Sequence, residues 1–110
     1  MENPTTARVR ALNDELRVHG RGGLVLVTRG LLEHGLPFAA RVRAAIAKDH
    51  TFSQANDPYA EHDFGALDIY GNRIFWKIDY YDETRTHGSP DPSDPKVTQR
   101  VMTIMLADEY

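Results

Sequence analysis

The fold turns on one stretch, FGALDIYGNRIFWKIDYY, residues Phe64 to Tyr81. Two runs rich in β-branched and aromatic residues, Phe64–Tyr70 and Arg73–Tyr81, flank Gly71-Asn72. Glycine at the first central position of a two-residue loop suits a β-hairpin. Such a loop sets Tyr70 against Arg73, Ile69 against Ile74, Leu67 against Trp76 and Gly65 against Ile78. Successive side chains point to opposite faces of a strand. One face therefore carries Leu67, Ile69, Ile74, Trp76 and Ile78; the other carries Asp68, Tyr70, Arg73, Phe75, Lys77, Asp79 and Tyr81. A slip of one residue would bury the charges, so the pattern specifies which face meets the core. Trp76 is expected inside, its indole N–H on one acceptor.

Working outward, Thr5 to Gly20 reads as a helix. Thr5 or Thr6 can cap its first turn, Val9, Leu12 and Leu16 form its apolar stripe, and Gly20 can end it. Leu24–Thr28 is a short apolar run rich in β-branched residues and bounded by glycines, which favours a buried strand. Gly30 to Leu36 has no clear period. Pro37 suits a first helical turn, and Phe38, Val42, Ala45 and Ile46 share a face, so a helix is expected over 37–48. Thr51–Ala60 reads as a polar loop. Beyond Tyr81, three prolines between Ser89 and Pro95 stiffen a second loop. Asp94-Pro95 then has the form of a helix start, with Val97, Val101, Ile104 and Met105 as the stripe of a last helix reaching nearly to Tyr110. The expected architecture is a single α+β domain over residues 1–110 in the order αβαββα. It has a small three-stranded sheet with three helices packed on one face.

Composition bounds the function classes. The chain has 110 residues, 41% hydrophobic and 26% charged, the balance of an ordinary folded domain. It has no cysteine, which excludes disulfide frameworks, thiolate zinc sites and cysteine nucleophiles. No apolar run approaches the roughly 20 residues of a membrane-spanning helix. Met1-Glu2-Asn3-Pro4 lacks the basic and apolar start of a secretory signal, so a cytoplasmic location is expected. The net charge of -3 is unevenly spread. Residues 1–50 hold eight Lys/Arg against five Asp/Glu, and residues 51–110 hold five against eleven. A pI near 5.9 disfavours general nucleic-acid binding. Arg8, Arg10, Arg17 and Arg21 could still form a local anion-binding strip, or simply a solvated helix face.

Chemistry has one candidate cluster. Glu61, His62 and Asp63 stand at the mouth of the hairpin, and extending the pairing places His62 opposite Tyr81 with Asp79 diagonal on the same non-core face. An imidazole beside a carboxylate suits a general base or half of a divalent-metal site, so Glu61, His62, Asp63 and Asp79 are the candidate catalytic residues, and His62 and Asp79 the candidate metal ligands. The competing reading is structural: a cross-strand His–Asp pair, and a carboxylate bonding strand amides. Their spacing matches no established metal motif. Asp82 and Glu83 extend the acidic group, but Asp79 and Asp82 fall on opposite faces of a regular strand. Gly22-Gly23 and Gly88 lack the lysine and helix start of a phosphate loop, and Ser89 lacks a nucleophile's partners. No cofactor is expected, a divalent metal excepted. Tyr70, Phe75, Lys77 and Tyr81, on the charged face, form a candidate binding surface unless the Thr51–Ala60 loop covers it.

Four stretches carry a resemblance across nearly the whole chain: Glu61-His62-Asp63-Phe64-Gly65, Phe75 to Asp82, Gly88 to Pro95 and Thr103 to Tyr110. Arg10-Ala11-Leu12-Asn13-Asp14 and Thr28-Arg29-Gly30 fit the same pattern. The chain resembles a family of short bacterial proteins of unknown function, common in alphaproteobacteria and on plasmids and other mobile elements. The resemblance implies a genomic setting and no activity. The leading expectation is a non-enzymatic accessory protein that binds a protein partner or itself. The alternatives are a metal-dependent hydrolase or nuclease at the acidic-histidine cluster, and nucleic-acid binding through the arginine strip.

Overall fold

A computed structural model describes residues 3–110, so Met1 and Glu2 of the N-terminal stretch lie outside it. The chain forms α1 (Pro4–His19), β1 (Leu24–Val27), α2 (Arg29–Leu32), α3 (Leu36–Lys48), β2 (Phe64–Ile69), β3 (Asn72–Tyr81) and β4 (Gln99–Leu106), and closes with a one-turn 3-10 helix, Ala107–Glu109. The class is α+β, as expected, but the sheet has four strands in the order β1-β4-β3-β2. β1 runs parallel to β4, while β4 with β3 and β3 with β2 are antiparallel. The cap of α1 is Asn3, whose side chain accepts the Thr5 amide at 2.8 Å, rather than either threonine.

The expected C-terminal helix is instead β4, a central strand. Central strands bury both faces, so their apolar residues run together and a 3.6-residue stripe can be read into them. Val101 and Met105 are buried on one side of β4, and Met102 and Ile104 on the other. The apparent helix start is a turn: Asp94 Oδ1 accepts the Lys96 amide at 2.9 Å and its carbonyl accepts the Val97 amide at 3.2 Å. The third helix is α2, a single turn within the segment that had no clear period.

The hairpin loop is Tyr70-Gly71 rather than Gly71-Asn72. Both residues have positive φ, 49° and 80°, the conformation whose twist matches a tight hairpin. Asn72 opens β3, its amide donating to the Ile69 and Tyr70 carbonyls at 3.4 Å. Leu67 thus pairs with Ile74, not Trp76, and Gly65 pairs with Trp76, not Ile78. The displacement is two residues, so every strand side chain keeps its expected face. A Cβ at Gly65 would overlap the indole of Trp76, which explains the glycine inside this strand.

All three helices lie on the Ile74/Trp76/Ile78 face. The core joins Leu16 of α1, Leu31 of α2, and Val42 and Ile46 of α3 to Ile74, Trp76, Ile78, Met102 and Ile104. Trp76 is fully buried and donates its indole N–H to Asp49 Oδ2 at 3.3 Å.

Candidate functional site

The acidic-histidine cluster is built by the loop before β2. Asp57 is buried, and its carboxylate accepts the backbone amides of Glu61 and His62 at 3.1–3.2 Å, which folds the loop back on itself. Ala60 and His62 adopt positive φ, 57° and 55°, so the chain leaves the strand pleat before His62. The His62 ring swings to the helix side of the sheet. Its Nδ1 meets Asp14 Oδ1 at 2.9 Å, its Nε2 lies 3.8 Å from Asp57 Oδ2, and its plane stacks on Phe52 at 3.7 Å. Asp14 also accepts from Arg17 at 3.0 Å. Arg17 in turn donates to the carbonyls of Ile46, Ala47 and Asp49, closing the C-terminal end of α3.

Beside it, a polar chain crosses the interior. Arg100 Nε donates to Asn13 Oδ1 at 2.6 Å, Asn13 Nδ2 donates to the Tyr80 hydroxyl at 2.7 Å and to the Glu61 carbonyl at 2.9 Å, and Tyr80 donates to Glu61 Oε1 at 2.9 Å. Arg100 stacks on the Tyr80 ring and donates to the Pro92 carbonyl. Burial pushes the Tyr80 hydroxyl far above its ordinary pKa; the Asn13 bond opposes this and the Glu61 carboxylate adds to it. Burial pulls the Arg100 guanidinium down from its usual value.

The four candidate catalytic residues therefore separate. Glu61 is taken by Tyr80 and His62 by Asp14, both on the helix side. Asp79 lies on the opposite face of β3, paired with Lys77 at 3.0 Å, so it is not the diagonal neighbour of His62 that the expected register implied. Nor does His62 stand opposite Tyr81, which pairs instead with Gln99 and bridges Gly88. Asp63 remains between them, its carboxyl pushed up by burial and by the charges of Glu61, Asp57 and Asp79. Among the described residues no three His, Asp or Glu side chains are grouped to hold a metal ion.

The arginine strip is also broken. Arg17 is buried against Phe52 and Trp76, Arg10 donates to the Ala60 carbonyl, and Arg21 pairs with Glu15, leaving Arg8 exposed. The buried Asn13, Asp57 and Arg100 and the half-exposed Asp14 were not among the expected site residues. Asn13 could have been found, since it stands on the Val9–Leu16 stripe, where a polar residue must meet a buried partner.

Among the described residues, none of α1, α2 and α3 covers the other face of the sheet, while the closing 3-10 turn brings Glu109 and Tyr110 to it. Phe75, Lys77, Asp79 and Tyr81 of β3 share it with Val101, Thr103 and Met105 of β4 and with Leu24 and Leu26 of β1. The two leucines are 41% and 50% exposed. A shallow depression of about 340 Å³ lies on this face, its lining including Lys77, Asp79, Tyr81, Met105, Glu109 and Tyr110. Tyr110 stands edge-on to Phe64 and Phe75, yet is 75% exposed. The Thr51–Ala60 loop reaches this surface as well: Asn56, Pro58 and Tyr59 line a second depression together with Phe64, Lys77, Asp79 and Tyr110. The Asp79 hydrogen bond holds the Lys77 ammonium above its usual pKa. Tyr70 departs from this surface: it sits in the hairpin loop under the Arg41 guanidinium, 5.2 Å from its ring, because the turn displaces it from the strand.

No helix of the described residues is long and apolar enough to cross a membrane. No curated protein and no solved structure matches the chain. The resemblance read from its motifs does extend over the chain: the family described as a protein of unknown function, DUF3768, matches residues 5–109, and the protein belongs to that family.

Proposed function

We propose that this protein is a small cytoplasmic accessory protein that acts by binding protein, through the helix-free face of its sheet, and carries out no catalysis. The observation behind the reading is that face itself. Half-exposed leucines and aromatic rings surround one Lys77–Asp79 pair, with none of α1, α2 and α3 packed over them. Aromatic and aliphatic side chains around few charges supply contact area with little conformational loss, the usual make-up of a protein interface. The acidic-histidine cluster offers a poorer case for chemistry. A general base needs a ring nitrogen free to face its substrate, and both nitrogens of His62 face carboxylates of the protein. The mobile-element setting rests on the motif resemblance alone.

The test places a photo-cross-linking residue at Lys77, and in a control at Arg43 on the exposed side of α3, in growing cells. Protein adducts from position 77 that are absent from position 43, and that vanish with Phe75→Ser/Tyr81→Ser, are expected. Equal adducts from both positions, or none from position 77, would contradict the reading.

A further inference from the structure

The helix-free face has an internal symmetry. Along β3 its side chains read Phe75, Lys77, Asp79, Tyr81: aromatic, cation, anion, aromatic. Reversed, the order is aromatic, anion, cation, aromatic. An antiparallel copy of this strip therefore offers an anion to each cation and a ring to each ring. The same centre serves the neighbouring strands. Val25, Met102 and Ile78 form one row across β1, β4 and β3. On either side stand the rows Leu24–Val101–Asp79 and Leu26–Thr103–Lys77.

We infer that the partner of this face is a second copy of the chain, stacked face to face about a two-fold axis that runs across the strands along the Val25–Met102–Ile78 row. The inference rests on the binding reading above and names its partner. The operation sets Lys77 over the second copy's Asp79, Leu24 over its Leu26 and Phe75 over its Tyr81, and each contact occurs twice, as an isologous interface requires. Stacked sheets keep their strands within about 30° of alignment, which leaves these pairs in reach.

Charge favours a copy over a strongly charged partner. The chain carries -3 overall, but its face holds two neutral pairs, Lys77–Asp79 at 3.0 Å and Asp68–Arg73 at 3.3 Å. Glu109, which lines the same depression, is held by the neutral Thr28 hydroxyl and the Gly30 and Leu106 amides, and among the described residues no cation is bonded to it.

Area sets the strength. The 28 residues of the four strands, at about 3.3 Å each with strands about 4.8 Å apart, span roughly 440 Å² per copy. Two copies bury about 900 Å², at the small end for a specific interface, so the dimer is weak and reversible.

Sedimentation equilibrium on the full chain, from about 1 to 500 µM, tests this with Lys77→Asp, Asp79→Lys and the double exchange. The wild type is expected to dimerise with concentration. Each single reversal puts like charges together twice and is expected to weaken the dimer by on the order of tenfold or more. The double exchange restores opposite charges and is expected to restore association. A wild type monomeric throughout, single reversals without effect, or a double exchange no better than the singles would each overturn the inference. A monomeric wild type that still cross-links through position 77 to another protein overturns the second copy and leaves the binding reading standing.

Discussion

The two faces of β3 are written in alternate residues of one strand, and they are finished differently. On the helix side, Ile74, Trp76 and Ile78 are buried under three helices, and the buried polar groups among them, Arg17 Nε apart, find partners: Asn13 links Arg100, Tyr80 and Glu61 in one chain. On the other side, Lys77 pairs with Asp79, Phe75 meets the rings of Phe64 and Tyr110, and none of the three α-helices packs over them. An interior needs every polar group paired because an unpaired one costs about 1–3 kcal/mol. A face left to solvent has no such demand, and its side chains are free to be chosen for a partner. Stability thus rests on one face, and the proposed binding on the other.

The largest effect expected is on the helix side. Trp76→Ala should lose about 3–5 kcal/mol of unfolding free energy, because it empties the centre of the core. Phe75→Ser, one residue away and facing outward, should lose far less in the same denaturant titration. Comparable losses would erase the distinction between the faces.

Asn13→Leu should cost about 2–3 kcal/mol. It strands the buried Arg100 Nε and removes the donor to Tyr80, at a position whose burial alone would suit leucine. A neutral result in thermal or urea unfolding would show that water replaces the amide.

Alkaline pH probes the same chain of bonds. The folded pKa of Tyr80 lies above its unfolded value near 10, so the folded protein holds a proton that the unfolded chain releases. Its contribution is fully present below pH 10 and falls as pH rises beyond it, by about 1.4 kcal/mol per pH unit. Unfolding measured from pH 9 to 11 should show this slope, and Tyr80→Phe should flatten it. Lys77, raised by Asp79, acts in the same direction and remains in the variant.

The smallest effect has the opposite sign. Asp63 is raised by burial and by its acidic neighbours, so its ionised form works against the fold above its unfolded pKa. Asp63→Asn should raise the melting temperature slightly at pH 7, and the gain should disappear below about pH 3, where Asp63 is protonated in the folded and the unfolded chain alike. A loss at pH 7 would mean that the carboxylate holds something in place.

How much of this could be read from the sequence follows from the physics of each part. The hairpin and its faces were legible because period-two alternation is a local property; even the displaced loop left the faces intact, since the pairing moved by two. The C-terminal strand was not legible. Its apolar residues face two ways, which imitates a helical stripe, and Asp94-Pro95 caps a turn with the residues that begin a helix. The open face lost only Tyr70, taken by the turn. The acidic-histidine cluster failed for a different reason: positive φ at Ala60 and His62 carries the ring across the sheet, and no spacing rule anticipates two left-handed non-glycine residues. Its partners Asp14 and Asp57 come from a helix and a loop that only the tertiary fold brings near.

If binding and folding reside on opposite faces, the double variant Phe75→Ser/Tyr81→Ser separates them when its unfolding free energy and its association are measured on the same sample. Stability should fall by no more than about 1–2 kcal/mol, since both positions are half-buried and outside the core, while concentration-dependent association is lost. Stability and association lost together, or association retained in full, would contradict this separation.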